Sequence, residues 1–161
     1  MSQGQNDSAG LEAEIRQARP FANREEEAFL NLQRTASLLL LAIGRELKPH
    51  DLTPAQYNAL RILRGAGEES LTCGEIGERL VSPGPDVTRL LDRLEARHLV
   101  TRLRDETDRR VVRARITQAG LDLLAELDDP VEQVLRRLLG HLGEGKLGSL
   151  VKLLEEARER L

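Results

Sequence analysis

The sequence predicts a mainly α-helical chain that carries one small β-hairpin. Leucine recurs at helical spacing along most of the 161 residues, and aromatic residues make up only 2% of the chain, so aliphatic side chains on helices must build the core. Two short segments of alternating character, 99–104 and 111–117, flank a polar turn and indicate the hairpin. The length fits one compact unit rather than two domains of ordinary size.

Composition excludes several classes of protein. The single cysteine, Cys73, cannot form an intrachain disulfide. The longest apolar run, Leu38 to Ile43, is too short to cross a membrane, and no signal-peptide pattern is present. These features predict a cytoplasmic protein.

A polar segment, residues 1–22, is expected to form a flexible N-terminal arm, either disordered or weakly helical, without an assigned function. A long helix is predicted over residues 24–48, and its apolar face is broad for so small a protein. The simplest explanation is that part of this face is buried against a second chain. The residues that define the face are Phe29, Leu32, Ala36, Leu38, Leu39, Leu40, Leu41, Ile43 and Leu47.

Two shorter helices are predicted to begin with capping boxes. In the segment Thr53-Pro54-Ala55-Gln56, a hydroxyl caps the helix, proline occupies its first position and glutamine reaches back to the cap. This helix ends within residues 65–69. The segment Thr72-Cys73-Gly74-Glu75 opens the next, which is short.

A fourth helix is predicted after the turn formed by residues 81–85, where two prolines and a glycine prevent the third helix from continuing. Pro85 is expected to start this helix. Apolar residues at spacings of three, four and seven predict one buried stripe, and charged residues occupy the opposite face. The stripe comprises Val87, Leu90, Leu91 and Leu94, and the charged face comprises Asp86, Arg89, Asp92, Arg93 and Arg97.

Two helices are predicted after the hairpin. Thr117 caps the first, which runs toward Leu139 and should kink or break at Pro130. A glycine-rich turn, residues 140–145, separates it from the last helix. The apolar residues that predict this last helix are Leu147, Leu150, Val151 and Leu154.

Positive charge is concentrated in one part of the chain. The net charge is −3, yet residues 86–115 contain nine arginines and only six acidic residues. Two helices joined by a turn and followed by a basic hairpin can place one helix in the major groove of DNA and the hairpin beside it. The predicted lobe is therefore a winged helix-turn-helix.

Residues 52–127 resemble the MarR (multiple antibiotic resistance regulator) family. The resemblance depends on Leu52 to Tyr57, on Asp86 to Glu95 in the fourth helix, and on the wing pattern from Asp105 to Arg110 followed by Thr117-Gln118-Ala119-Gly120. It implies a triangular homodimer that binds a pseudo-palindromic operator and acts as a transcriptional regulator, specifically a repressor. Residues 51–117 would form the DNA-binding lobe, and residues 23–50 with 118–161 the helical dimerisation region.

The resemblance also assigns contacts with double-stranded DNA. Thr88, Arg89 and Arg93 would address the major groove, whereas Arg110 would enter the minor groove, held there by Asp108. His98 stands where the family commonly has glycine, so a left-handed backbone is expected there. The turn before the fourth helix is about one residue longer than in the family. Arg102, Arg104 and Arg109 would be candidates for phosphate contacts. The remaining candidates for contacts with DNA are Ser82 and Pro85.

A small-molecule effector, of aromatic or phenolic type, is implied by the resemblance alone, near the end of the first long helix and Tyr57. Two alternatives remain open: a redox-sensing regulator that uses Cys73 at a helix start, and a winged helix that binds only proteins. For Arg97 and Arg113, a solvated surface position stays an alternative to a contact with DNA. No catalytic motif is recognised in the sequence, and no cofactor is predicted. No metal site is predicted, because His50, His98 and His141 lack a spaced cluster of cysteine or carboxylate ligands.

Overall fold

The structure is a computed structural model that describes residues 10–105, 108 and 111–160. Within these ranges the chain forms helices and one small antiparallel sheet. The elements are α1 (Leu11–Glu14), α2 (Arg24–Leu47), α3 (Pro54–Gly65), β1 (Leu71–Thr72), α4 (Cys73–Arg79), α5 (Val87–Ala96), β2 (Val100–Arg104), β3 (Val112–Ile116), α6 (Gln118–Leu139) and α7 (Gly143–Arg158). Single 3₁₀ turns, Lys48–His50 and Gly140–Leu142, follow α2 and α6.

The chain divides into two compact units, Met1–Leu41 and Ala42–Leu161. In the first unit, the side chain of Asn23 accepts a hydrogen bond from the backbone N–H of Glu26 at 2.8 Å and caps the start of α2. Leu11 of the short helix α1 is buried, and Glu14 forms an ion pair with Arg34 at 3.8 Å. The first nine residues of the predicted arm lie outside the described part of the chain.

The long predicted helix is present as α2. Several of its large apolar side chains are exposed, although their spacing is that of a buried face. These exposed side chains are Phe29, Leu32, Leu38, Leu40 and Leu41.

The core of the second unit lies between α3, α4, α5, the sheet and α6. Both predicted capping boxes are present, one from Thr53 to Gln56 and the other from Thr72 to Glu75. Hydrogen bonds from the backbone N–H and the hydroxyl of Thr72 lower the pKa of Glu75 below its ordinary value. The largest fully buried side chains of this core are Leu47, Leu60, Leu63, Ile76, Leu91, Leu94, Val100, Leu124 and Leu127.

The sheet has three strands in the order β1-β3-β2, all antiparallel. In the hairpin, Val100 pairs with Ile116 and Arg104 pairs with Val112, which agrees with the two predicted strands to within a residue at each end. Strand β1 is an addition to the prediction. It has two residues, too few to show any alternation, and it pairs Leu71 with Ala114.

A kink or a break is predicted at Pro130, and the break is absent because helix α6 runs through this residue. The buried side chains of Leu127 and Val131 lie on either side of the proline, so packing against the core retains the helix despite the missing hydrogen bond. In contrast, α7 buries none of its residues. Among the described residues, no helix combines the length and the apolar composition that a membrane span requires.

Candidate nucleic-acid interface

Helix α5 begins at Val87, two residues after the predicted start at Pro85. Pro85 precedes the cap, which is Asp86, and the carboxylate of Asp86 accepts a hydrogen bond from the backbone N–H of Arg89 at 3.1 Å. This corrects the expectation that Pro85 starts the helix: an acidic cap satisfies an otherwise unpaired N–H at the positive end of the helix, which proline cannot do. The helix therefore starts at Val87.

A hydrogen bond joins the turn before α5 to helix α3. The side-chain oxygen of Asn58 accepts a hydrogen bond from the backbone N–H of Val81 at 2.9 Å. Ser82, in the same turn, is exposed, and Pro85 is half-buried. These two predicted contact residues thus lie just before the helix that carries the other candidates.

The two faces of α5 differ as the sequence predicts. Leu90, Leu91 and Leu94 are buried in the core, whereas Thr88, Arg89 and Arg93 are exposed. The helix ends with a left-handed residue, His98, whose φ is 57°. Its N–H donates to Glu95 O at 2.8 Å, and the N–H of Leu99 donates to Leu94 O at 3.0 Å. This confirms the expected conformation of His98 and shows a Schellman end to the helix.

A groove of about 270 Å³ separates the exposed side of α5 from the start of α3. Sequence reasoning did not include the α3 residues of this groove among the candidates, although the capping box placed a helix start there. Gln56 is buried, and both its backbone N–H and its side chain form hydrogen bonds with Thr53. The groove is lined by Thr53, Ala55, Gln56, Asp86, Arg89, Leu90 and Arg93.

Arg102 and Arg104 lie two residues apart on β2, and their surroundings differ. Arg104 is exposed. Arg102 has a side chain that is 18% exposed, and its guanidinium contacts the carboxylates of Asp92 and Glu95 on α5. The structure therefore brings Arg102, a residue of the hairpin, into contact with α5.

The tip of the hairpin is only partly described. Asp108 is exposed, and its backbone N–H donates to the carboxylate of Asp105 at 3.2 Å. Arg109 and Arg110 lie outside the described residues, and so does the expected pair between Asp108 and Arg110. The predicted roles of these three residues stay predictions.

Two further arginines form hydrogen bonds within the lobe. Arg97 donates to the backbone oxygens of His50 and Asp51, each at 2.8 Å. Arg113 donates to Asp105 at 2.7 Å and to the backbone oxygen of Ser70 at 3.1 Å. The hydrogen bond to Asp105 raises the pKa of the Arg113 guanidinium above its ordinary value. Both arginines thus stabilise the fold around the interface.

The region expected to bind an effector contains a buried aromatic ring. Tyr57 is buried in the core of the lobe, and this burial raises the pKa of its hydroxyl above the ordinary value. The guanidinium of Arg61 lies 5.8 Å from the centre of the ring. Cys73, at the first position of α4, is half-buried. Among the described residues no group of three metal-ligating side chains occurs.

The sequence matches known proteins over the winged lobe and beyond. Residues 50–111 match the model of the MarR family. The homoprotocatechuate degradative operon repressor of Escherichia coli is 30% identical over 110 residues, which cover 68% of this chain and 73% of that protein.

Solved structures share the fold. The MarR transcription factor from Planctomyces limnophilus is 40% identical, with a TM-score of 0.67 over 84% of this chain and 98% of that chain. Bordetella bronchiseptica BpsR, solved in a study of how 6-hydroxynicotinic acid regulates its DNA binding, is 25% identical, with a TM-score of 0.74 over 86% and 97%. The S. aureus MepR–DNA complex is 23% identical, with a TM-score of 0.75 over 83% and 97%, and shows the same fold bound to DNA.

Proposed function

This chain belongs to the MarR family of transcriptional regulators, which bind DNA and are not enzymes, and from that premise we propose that it is a homodimeric repressor released from its operator by a small molecule. The observation that carries this proposal is the exposed face of α5. Arg89 and Arg93 project from a helix whose other side is anchored by three buried leucines. A rigid helix with exposed arginines is what reading of base edges in the major groove requires.

The homodimer is supported by apolar side chains that the chain itself does not cover. Covering them with a second copy would remove them from water, which favours association by about 25 cal/mol for each Å². The same association would place two copies of α5 on one duplex, as a pseudo-palindromic operator requires. The exposed apolar side chains of the proposed dimerisation region are Phe29, Leu32, Leu38, Leu40, Leu41, Leu135, Leu150, Val151 and Leu153.

Repression and release are supported by relatives. The Escherichia coli relative is a repressor of a degradative operon, and DNA binding by BpsR is regulated by an aromatic acid. An effector that releases the operator must bind the DNA-incompetent arrangement of the two lobes more tightly than the competent one. An aromatic or phenolic compound remains the proposed class.

The test is a selection of bound sequences from random duplex DNA, followed by a salt titration on the selected duplex. Counterion release predicts that log affinity falls linearly with log salt concentration. Arg93→Ala should weaken binding by about 1–3 kcal/mol for each base pair that the guanidinium reads. Arg110→Ala should weaken binding as well, if the wing tip contacts the minor groove.

The matched control is Arg158→Ala, which removes an arginine of α7 outside the winged lobe and should leave the affinity for the selected duplex unchanged. A protein that stays monomeric and enriches no sequence would refute the proposed function. A protein that binds a duplex equally well with and without Arg93 would refute the role of α5.

A further inference from the structure

Arg102, on strand β2 of the hairpin, forms several contacts with helix α5. Its Nη2 donates to the backbone oxygen of Thr88 at 2.9 Å and also to the carboxylate of Asp92. Its Nε lies 3.5 Å from Oε2 of Glu95, and its backbone N–H donates to Oε1 of the same carboxylate at 3.2 Å. The three partners, at positions 88, 92 and 95, lie along one side of α5 over two turns.

These contacts make Arg102 a poor ligand for a phosphate. Two carboxylates already neutralise its guanidinium, and their negative charge would repel an incoming phosphate. Only 18% of the side chain is exposed. Arg104, two residues further along the strand, is exposed to solvent, unlike Arg102.

We propose that Arg102 is a positioning residue, with Asp92 as its required partner: together they hold α5 in the placement at which Thr88, Arg89 and Arg93 reach the bases. This gives Arg102 a different role from the phosphate contact that the sequence suggests. The inference rests on the proposed function, because it concerns how the DNA-reading helix is held.

The physical reason is the narrow tolerance of base recognition. Side chains that read base edges must be held to within about 0.5 Å of their productive positions by the surrounding residues. A guanidinium can bond to a backbone oxygen and a carboxylate together through its planar fork, whereas the ammonium of lysine supplies a point charge. Lysine binds phosphate well but cannot reproduce this set of contacts.

The first experiment therefore uses Arg102→Lys, with Arg79→Lys as the matched control, because Arg79 is an exposed arginine of α4 in the same lobe with no assigned contact to DNA. Affinities are measured for the duplex that the wild-type protein selects and for a duplex of scrambled sequence. We expect Arg102→Lys to weaken binding to the selected duplex about tenfold, the scale of one missing charge-assisted hydrogen bond, with the scrambled duplex and the salt slope unchanged. Arg79→Lys keeps the charge and should change neither affinity.

A loss of equal size on both duplexes would overturn the inference, because it would indicate a general loss of folded protein or of charge. Wild-type affinity for the selected duplex in Arg102→Lys would also overturn it.

The second experiment tests whether Asp92→Ala strengthens or weakens binding to the selected duplex. Asp92→Ala removes a negative charge from a DNA-binding helix and adds a better helix former, so electrostatics and helix propensity alone predict tighter binding. The proposed positioning role predicts weaker and less selective binding, again by about tenfold. Glu78→Ala, which removes an exposed acid from α4 of the same lobe, controls for the effect of charge and should not weaken binding.

Tighter binding by Asp92→Ala would overturn the inference even if Arg102→Lys failed to fold. The combined variant Asp92→Ala with Arg102→Lys should be no weaker than either single variant, since both remove the same connection. If the wild-type protein itself selects no duplex, the proposed function fails and the inference fails with it. If the wild-type protein selects a duplex and both variants retain full selectivity, only the inference fails.

Discussion

Helices α5 and α7 have apolar residues at the same spacing, but the apolar face of α5 is buried and that of α7 is largely exposed. Leu90, Leu91 and Leu94 of α5 are each at most 6% exposed, because α3, α4 and the sheet pack against them. On α7, Leu150 and Val151 of the stripe are 36% and 52% exposed, and Leu153, which lies beside this stripe, is 63% exposed. Apolar periodicity thus predicts a helix and its apolar face, but it does not indicate whether the same chain or another covers that face.

The largest expected effect comes from truncating one leucine in each helix. Leu94→Ala leaves a cavity in a closed core and should lower the free energy of unfolding by about 2–5 kcal/mol. Leu153→Ala should leave the lobe intact and weaken dimerisation instead, raising the dissociation constant about tenfold because roughly 1.5 kcal/mol of apolar burial is removed. Chemical denaturation and sedimentation equilibrium measure the two quantities.

The comparison between α5 and α7 would fail if Leu153→Ala changed neither the dissociation constant nor stability. The face of α7 would then not be part of the dimer. It would also fail if Leu94→Ala were neutral, because a fully buried side chain in a packed core cannot be truncated without loss.

Local signals in the sequence were sufficient for much of the fold. The capping boxes at Thr53 and Thr72 each depend on a few neighbouring residues, and both are present. The left-handed backbone at His98, which is also present, was expected from the family resemblance and not from a local pattern. Strand β1 was missed because two residues have no periodicity, and the continuity of α6 at Pro130 depends on burial by other elements. The contacts of Arg102 join residues of a strand and a helix, so no local pattern reveals them.

A second prediction compares glycines in α6 and α7. A Cβ at Gly120 would lie 2.4 Å from the backbone oxygen of Leu99 and 2.7 Å from Cγ1 of Ile116, so Gly120→Ala should destabilise the lobe by about 1–3 kcal/mol. A Cβ at Gly148 would meet nothing within 4 Å. Gly148→Ala should therefore stabilise the chain by up to about 1 kcal/mol, since alanine favours a helix interior.

Thermal unfolding measures whether Gly120→Ala lowers the stability and Gly148→Ala raises it. A stable Gly120→Ala protein would show that the start of α6 can move away from the turn between α5 and β2, where the hydroxyl of Thr117 also donates to the backbone oxygen of His98 at 2.7 Å. A destabilised Gly148→Ala protein would show that this part of α7 contacts another chain closely.

The smallest expected effect concerns the ion pair that links α3 to α6. Arg64 donates to both carboxylate oxygens of Asp128, at 2.7 and 2.9 Å, and this hydrogen bonding lowers the pKa of Asp128 below its ordinary value of 3.8. The two side chains are 34% and 47% exposed, so solvent screening limits the contribution of the ion pair. Asp128→Asn should therefore lower the free energy of unfolding by less than about 1 kcal/mol at neutral pH.

The pH dependence of this contribution follows from the pKa of Asp128. Because that pKa is lowered in the folded state, the stabilisation is complete above the ordinary pKa of Asp128 and is lost as pH falls through the lower pKa of the folded protein. The difference in unfolding free energy between wild type and Asp128→Asn should therefore be constant at neutral pH and shrink toward zero in strong acid, and added salt should reduce it at neutral pH. A difference that persisted in acid would mean that Asp128 acts through packing or a neutral hydrogen bond and not through its charge.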